Sequence, residues 1–223
     1  MKNKIVYIYL IRHAESEHNK DSMDIIGGHL DDSLLTSRGM MQANDLGERL
    51  AREGIMFGKI YSSTYRRAMK TADIVASHLG YPGDDIIFRK ELIEYGHGDF
   101  AGRLRSEVYT PEFRKYLDGN SWGYIPPNGE SQCMVSERMY SVVEEIMNHR
   151  YMKNNNGYET NQESNKVAVF SHGTAIKCLL RRLMLFDPKH VYRMDISNTS
   201  ITEILYDADG WHIQRINDHA HLD

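Results

Sequence analysis

The chain has 223 residues, 41% hydrophobic and 26% charged, a balance that excludes a disordered chain and gives one globular domain enough apolar surface for a substantial core. No apolar run reaches the roughly 18 residues that span a bilayer, and no small-residue cleavage site follows the first apolar stretch, so neither a membrane anchor nor a signal peptide is expected. With 27 Lys and Arg against 31 Asp and Glu, a formal charge of -4, the chain lacks the broad basic field of non-specific nucleic-acid binding, and any anion must be bound locally.

Residues 5–11 are a continuous apolar run, as expected for a strand covered on both faces, and it stops at Arg12-His13. After a Gly27-Gly28 break, Thr36 precedes a helical pattern with Met40, Ala43, Leu46 and Leu50 on one face, ending near Gly54. Residues 59–62 predict a second strand, with Ser63 and Thr64 as caps for a helix that turns Ala68, Thr71, Ala72, Val75, Ala76 and Leu79 inward. Residues 86–88 predict a third strand. The stretch 96–129 mixes Gly, Pro, aromatic and charged residues without one period and reads as an excursion from the main sheet.

Ser131 opens the next predicted helix, with Val135, Met139, Val142, Val143 and Ile146 inward, and residues 153–166 form a polar, Asn-rich loop. A buried-type strand over 167–170 ends at Ser171-His172-Gly173, and a helix follows through Ile176, Leu179, Leu180 and Leu183. Two last strands, over 201–205 and 211–216, join through Asp207-Ala208-Asp209-Gly210. The alternation predicts an α/β fold, a three-layer sandwich whose mostly parallel central sheet is flanked by helices, with ligands beyond the carboxyl ends of the strands. Cys133 and Cys178 lack metal-type spacing and fall inside apolar helical patterns, which predicts reduced core thiols and a cytoplasmic protein.

Three predicted strand ends carry the same kind of polar group: Arg12-His13, Ser62 to Arg67, and Ser171-His172. Two arginines and two histidines converging at one point suit a tetrahedral dianion, because guanidinium forks match phosphate oxygens and helix N-termini add N–H donors. A phosphate site is the expectation.

These residues resemble a known family. Leu10-Ile11-Arg12-His13-Ala14-Glu15-Ser16, with Asn19 beyond it, is similar to the signature of the histidine phosphatase superfamily, the phosphoglycerate-mutase-like proteins. Further blocks follow in that family's order. They are Asp32-Ser33-Leu34-Leu35-Thr36 with Gly39 and Gln42-Ala43; Tyr61-Ser62-Ser63 with Arg67-Ala68 and Thr71-Ala72; Leu92-Ile93-Glu94 with Gly98 and Gly102; Gly129-Glu130-Ser131; and Ser171-His172-Gly173. The resemblance spans nearly the whole chain, as one domain over 1–223 with the 96–129 excursion as a small cap over the active site.

The resemblance implies that His13 is the nucleophile, carrying the phosphoryl group as a phosphohistidine while its other ring nitrogen holds its N–H toward a backbone carbonyl. It implies that Arg12, Arg67 and His172 surround the phosphoryl oxygens, with Asn19 and Ser16 as lesser donors. Ser16 and Asn19 serve equally well as turn or capping residues, and Arg67 is chosen over its neighbour Arg66 by the family pattern alone. Well-placed donors are worth about 3 to 4 kcal/mol each in transition-state stabilisation, and the slow unaided reaction of phosphate monoesters calls for several. Glu94 matches the general acid that protonates the leaving oxygen and later activates water, which implies an acidic optimum. Gly173 stands where the family's other branch carries an acidic residue after the second histidine, so Glu94 is the candidate acid.

No cofactor is implied and no metal, since the arginines take the cation's place and no ligand-type cluster is visible. Glu94 is followed by Tyr95-Gly96-His97-Gly98, with no arginine until Arg103, which departs from the mutase pattern. Tyr109, Phe113, Tyr116, Trp122 and Tyr124 in the excursion predict an aromatic-lined cap suited to apolar or stacking leaving groups. The expected activity is therefore hydrolysis of a small phosphomonoester to inorganic phosphate. Phosphoglycerate mutase is one alternative and a non-catalytic phosphate or phosphoprotein binder another, and neither nucleic acid nor membrane is an expected partner. His97 and the tail 217–222 receive no role; the tail reads as a family feature or as ordinary surface.

Overall fold

A computed structural model describes residues 5–20, 24–27, 33–151 and 165–222. Gly28, Asp32 and residues 153–164 of the polar loop lie outside them.

The first strand, β1 (Val6–Arg12), shows why an unbroken apolar run was needed. Val6, Ile8 and Leu10 pack into one cluster with Val167, Val169, Val135, Met139, Ile176 and Leu179. Tyr9 and Ile11 point the other way, against Leu46, Leu50, Val75, Ala168 and Phe170. A strand with helices on both faces cannot alternate with polar residues. The sheet holds β2 (Lys59–Ser63), β3 (Ile87–Arg89), β4 (Lys166–Ser171), β5 (Ile201–Asp207) and β6 (Gly210–Asp218), in the order β3-β2-β4-β1-β5-β6. Strands β1 to β4 run parallel, while β5 and β6 add an antiparallel edge.

The helices are α1 (Glu17–Lys20), α2 (Ser37–Arg52), α3 (Arg66–His78), α4 (Arg105–Val108), α5 (Pro111–Asn120), α6 (Gln132–Tyr151) and α7 (Gly173–Met184). Helices α2 and α3 cover one face of the sheet and α6 and α7 the other, the predicted three-layer sandwich.

Local signals explain most boundaries. Thr36 caps α2, its Oγ1 accepting from Gly39 N–H at 2.9 Å, and Ser131 Oγ accepts from Met134 N–H at the start of α6. The caps predicted for α3 are displaced: Tyr65 is its N-cap, without a side-chain bond, and Ser63 instead accepts from Tyr65 N–H at 3.3 Å. Cys178 is fully buried as expected, whereas Cys133 is half-buried with its thiol against Glu137, outside the core.

The excursion 96–129 contains α4 and α5 and no strand. Its base closes by backbone bonds from Asp99 N–H to Pro127 O and from Glu130 N–H to Gly96 O, 2.9 and 3.0 Å long. Gly98, at a φ of +54°, runs so close to Pro127 and Gly129 that a Cβ has no room.

Candidate active site

The sheet order puts β4 between β2 and β1, so the carboxyl ends of β2, β4 and β1 lie side by side. Arg12 is in register with Ser171 and Ser62 with Phe170, and His13 N–H donates to Ser171 O at 2.9 Å. Two residues distant in sequence, His13 and His172, thereby come to 5.0 Å between ring centroids. A cleft of about 210 Å³ opens there. Arg12, His13, Ser16, Asn19, Arg67 and Glu94 line it, together with His18, Gly27, His97, Arg105, Gly173, Thr174, Lys177 and Ile196. His172 is wholly buried behind that lining. Another hollow, of about 220 Å³ beside Tyr140, Tyr206 and Trp211, contains none of these residues.

His13 is 4% exposed, and its Nδ1 lies 2.7 Å from Ala14 O. A carbonyl only accepts, so the ring proton sits on Nδ1 and the Nε2 lone pair is left available. Arg67 Nε–H donates to that lone pair at 3.2 Å. Burial, reinforced by Arg67 and Arg12, holds the His13 pKa well below the usual imidazole value, so the ring is neutral.

His172 Nε2 lies 2.9 Å from Ser63 Oγ. That oxygen accepts from Tyr65 N–H and has its hydroxyl proton to give to Nε2, an arrangement in which the ring proton sits on Nδ1. Nδ1 is buried and has no partner among the described residues, as is true of Arg12 Nε. Two orphaned donors beside one lone pair call for an acceptor-rich ligand. Burial and the cations Arg67 and Arg12 also depress the His172 pKa, so the positive charge here comes from the arginines and the histidines act as neutral dipoles.

Glu94 takes three backbone bonds: its Oε1 accepts from Tyr95 and Ala175 N–H at 2.8 and 3.0 Å, and its Oε2 from Thr174 N–H at 3.2 Å. It therefore caps α7, whose own N-cap His172 makes no side-chain bond to the helix N-terminus. Oε1 thereby fills both of its lone-pair sites, and Oε2 keeps one, on a residue that lines the cleft. Ser16 and Asn19 bond to each other, Ser16 Oγ donating to Asn19 Oδ1 at 2.8 Å, so the turn role is satisfied as well as a place in the lining.

Several family blocks prove to be scaffolding. Ala14 N–H donates to Thr71 Oγ1 at 3.0 Å, Glu15 N–H to Gln42 Oε1 at 2.9 Å, and Thr36 Oγ1 to Glu15 Oε1 at 2.8 Å. A Cβ on Gly39 would strike the Glu15 carbonyl oxygen, which is why the first turn of α2 carries a glycine against this loop.

Other contributors carried no local signal. Arg138 donates to the carbonyls of Glu91, Ile93 and Glu94 at 2.7 to 3.0 Å and pairs with Glu130 at 2.7 Å, fixing the turn that presents Glu94. Asn198 donates to His13 O at 2.8 Å and accepts from Asn19 Nδ2 at 3.1 Å. Thr199 beside it has a φ of +56°, rare for a β-branched residue, and is held by its N–H to Arg12 O and by His221 Nε2 at 2.9 Å from its hydroxyl. The tail 217–222 is thus tied in, with Asp218 gripping Arg49 through both oxygens at 2.8 and 2.6 Å.

The predicted aromatic lining is not what the cleft shows. Phe113 packs against Phe100, Tyr109, Tyr116 and Tyr124, with centroids 5.3 to 6.2 Å away, and Trp122 stacks under Arg181. The excursion region presents Arg105 and His97 to the cleft instead. The aromatic rings pack on one another.

A parallel α/β sandwich with a cationic cleft beyond its strand ends and a tautomer-locked histidine belongs to the phosphate-handling class of such folds. The model for the histidine phosphatase superfamily, branch 1, matches residues 8–219, and the chain belongs to that family. It is 28% identical over 204 residues to a 2,3-bisphosphoglycerate-dependent phosphoglycerate mutase of Parvibaculum lavamentivorans, covering 91% of this chain and 90% of the relative. A broad-specificity phosphatase of Saccharomyces cerevisiae is 28% identical, covering 99% and 89%. The crystal structure of a phosphoserine phosphatase from Entamoeba histolytica in complex with phosphoserine shares the fold, with a TM-score of 0.79 at 23% identity over 98% of this chain and 100% of that one.

Proposed function

We propose that the protein is a phosphatase that hydrolyses small phosphomonoesters through a phosphohistidine on His13, without a metal and without a cofactor. The observation that carries this is the His13 ring, its Nδ1 proton tied to Ala14 O and its Nε2 lone pair facing Arg67 in the cleft.

In the first half-reaction Nε2 attacks phosphorus, the P–N bond forms, the ester P–O bond breaks and Glu94 passes its proton to the leaving oxygen. Arg67 exchanges its bond to Nε2 for one to a phosphoryl oxygen, and Arg12 Nε–H and His172 Nδ1–H donate to the others. In the second, Glu94 takes a proton from water, the water oxygen bonds to phosphorus, the P–N bond breaks and phosphate leaves. Three donors already in place need little reorganisation, which is how fixed cations take on a metal's work. Asn19 Nδ2 has one proton beyond its bond to Asn198, which supports it as a further donor. The excursion 96–129 acts as the cap of a single domain, and the two free thiols support a cytoplasmic setting. No helix among the described residues is long and apolar enough to cross a membrane.

The test is phosphate release from an aryl phosphate in EDTA between pH 4 and 8, with trapping of labelled enzyme by a denaturing alkaline quench, in which a P–N bond survives. Wild-type turnover and trapped label are expected, and His13→Ala should lose at least about 10³-fold in kcat. A variant as active as wild type would sink the mechanism. The relative named as a mutase favours one other reading, transfer of the phosphoryl group within a phosphoglycerate; isomerisation of 3-phosphoglycerate without hydrolysis would establish it.

A further inference from the structure

His18, in α1, lines the cleft together with Arg12, His13, Arg67 and Gly27, yet the phosphoryl assignment gives it no task. Its Nε2 is buried and has no hydrogen-bond partner among the described residues, although the ring as a whole is half-buried. His13 has its Nδ1 tied to Ala14 O; among the described residues no such bond pins the Nδ1 of His18, so its Nε2 is free to carry the ring proton. The backbone fixes where the ring stands. His18 N–H donates to Ser33 Oγ at 3.1 Å, and α1 hangs from Ser16 O, which accepts from Asn19 and Lys20 N–H at 2.9 and 3.1 Å.

Gly27 keeps open the space beside that nitrogen. A Cβ at position 27 would stand 3.1 Å from Nε2 and 3.7 Å from Cδ2, so an oxygen entering the cleft finds, at hydrogen-bond distance from Nε2, the room that a side chain would fill. The surrounding charge is that of the phosphoryl site. Burial and then Arg67 lower the His18 pKa, and His18 in turn adds to the lowering at His13. A ring that acts on His13 and is acted on by Arg67 stands at the phosphoryl end of the cleft. A buried polar atom left unpaired is costly, and a ligand acceptor removes that cost.

We propose that His18 is a further catalytic residue, its Nε2–H donating to a phosphoryl oxygen in the space that Gly27 leaves open. This rests on the phosphoryl-transfer assignment of the cleft and adds a donor from α1 to it. The oxygen concerned stays on phosphorus through both half-reactions, so the bond serves attack on the ester and hydrolysis of the phosphohistidine alike. No proton changes hands at His18: Nε2 keeps its hydrogen and shares it. A donor aimed where charge gathers stabilises the transition state as well as the bound substrate, so its loss reaches kcat as well as KM.

The experiment uses orthovanadate as a stand-in for the phosphoryl group, in wild type, His18→Phe and His18→Gln. Its binding is read by nitrogen NMR of isotope-labelled histidine and by inhibition of aryl phosphate hydrolysis. Phenylalanine keeps the bulk of the ring and removes the donor, whereas glutamine offers an amide N–H. Vanadate should move the His18 Nε2 resonance, assigned by its absence from His18→Gln, to that of a proton-bearing, hydrogen-bonded nitrogen. His18→Phe should weaken vanadate binding and lower kcat/KM by about tenfold or more, and His18→Gln should recover part of both. A resonance unmoved by bound vanadate, or a phenylalanine variant that matches wild type in both readings, would overturn the role of His18 and leave the phosphohistidine mechanism standing. If wild type binds vanadate but hydrolyses no ester, the phosphatase assignment fails by itself, and the NMR decides for His18: a moved resonance upholds the bond and an unmoved one refutes it. A wild type that does not bind vanadate would overturn both.

Discussion

The two sides of the cleft are built differently. On the sheet side, the Arg12–Ser16 turn is held by residues far away in sequence: Thr71 on Ala14, Gln42 on Glu15, Asn198 on His13. On the cap side, α5 is held by neighbours, with Phe113 among rings drawn from residues 100–124, and the strip that leads into α4 is tied far away, by backbone bonds to residues 24–26. The Tyr109 hydroxyl, 3.3 Å from His97 Nδ1, ties that cluster to the cleft. Phosphoryl chemistry needs donors fixed to fractions of an ångström, and long-range bonds into a packed sheet supply that. Selecting a leaving group tolerates a looser frame, and a locally folded segment can vary without disturbing the reacting atoms.

The harshest way to break this contrast is to remove a long-range brace. Arg138→Leu strips three carbonyls of their donor and leaves the half-buried Glu130 carboxylate with Gly96 N–H but without its cation. Breaking a fully buried pair from one side costs about 3 to 5 kcal/mol, and with both partners partly exposed chemical denaturation should show a loss near the lower end of that range. Turnover should fall on every substrate alike, because the turn presenting Glu94 loosens. A loss confined to one substrate class would mean that Arg138 belongs functionally to the cap.

A gentler probe is pH. His13, His172 and His221 all have depressed pKa values in the fold, burial being the first cause, and His221 falls to about 4 from an ordinary 6.5. The unfolded chain therefore binds protons that the native state refuses. Stability is fully present above about pH 6.5 and is lost as pH falls through the window toward the folded values. Denaturation midpoints measured from pH 7.5 to 4.5 should decline with acid, and His221→Gln should remove one proton's share of the slope between about 4 and 6.5. An unchanged slope would mean that the tail is detached from Thr199 in solution. Arg67 contributes to the shifts of both sheet-side histidines, so acid sensitivity is a property of that side rather than of the cap.

The same contrast explains what the sequence made legible. The unbroken run of β1 and the Arg12-His13 and Ser171-His172 endings could be read directly, because burial on both faces and strand-end chemistry leave local marks. Gln42 was visible only as a family pattern, and Thr36 and Thr71 otherwise only as a helix start and an inward helix position; their role is to hold a backbone distant in sequence, which no periodicity records. Arg138, Asn198 and Lys177 left no mark, since an arginine, asparagine or lysine is chemically ordinary until the fold sets it against a carbonyl or a cleft. The α5 helix had a signal that the mixed composition hid: Thr110 followed by Pro111, a capping residue and a first-turn proline. The cap aromatics were visible but their direction was not, because rings without a helical or strand period give no clue whether they face ligand or one another.

The finest test of the contrast is Phe113→Ala. The ring has edge or stacked contacts with four others, and aromatic pairs add about 0.5 to 1.5 kcal/mol each beyond the area they bury. Phe113 is only half-buried, however, and a locally folded segment can open without the sheet, so the global loss should stay near 1 kcal/mol. Hydrogen exchange should quicken across 105–124 while amides of β1, β2 and β4 keep their protection. Because α4 carries Arg105 into the cleft lining, loosening the cluster should raise KM for an aryl phosphate more than it lowers kcat. Faster exchange in β1 to the same degree would show that cap and sheet open as one unit. The looser construction of the cap would then be an appearance of its contacts, and the division between a fixed phosphoryl end and an adjustable leaving-group end would fall.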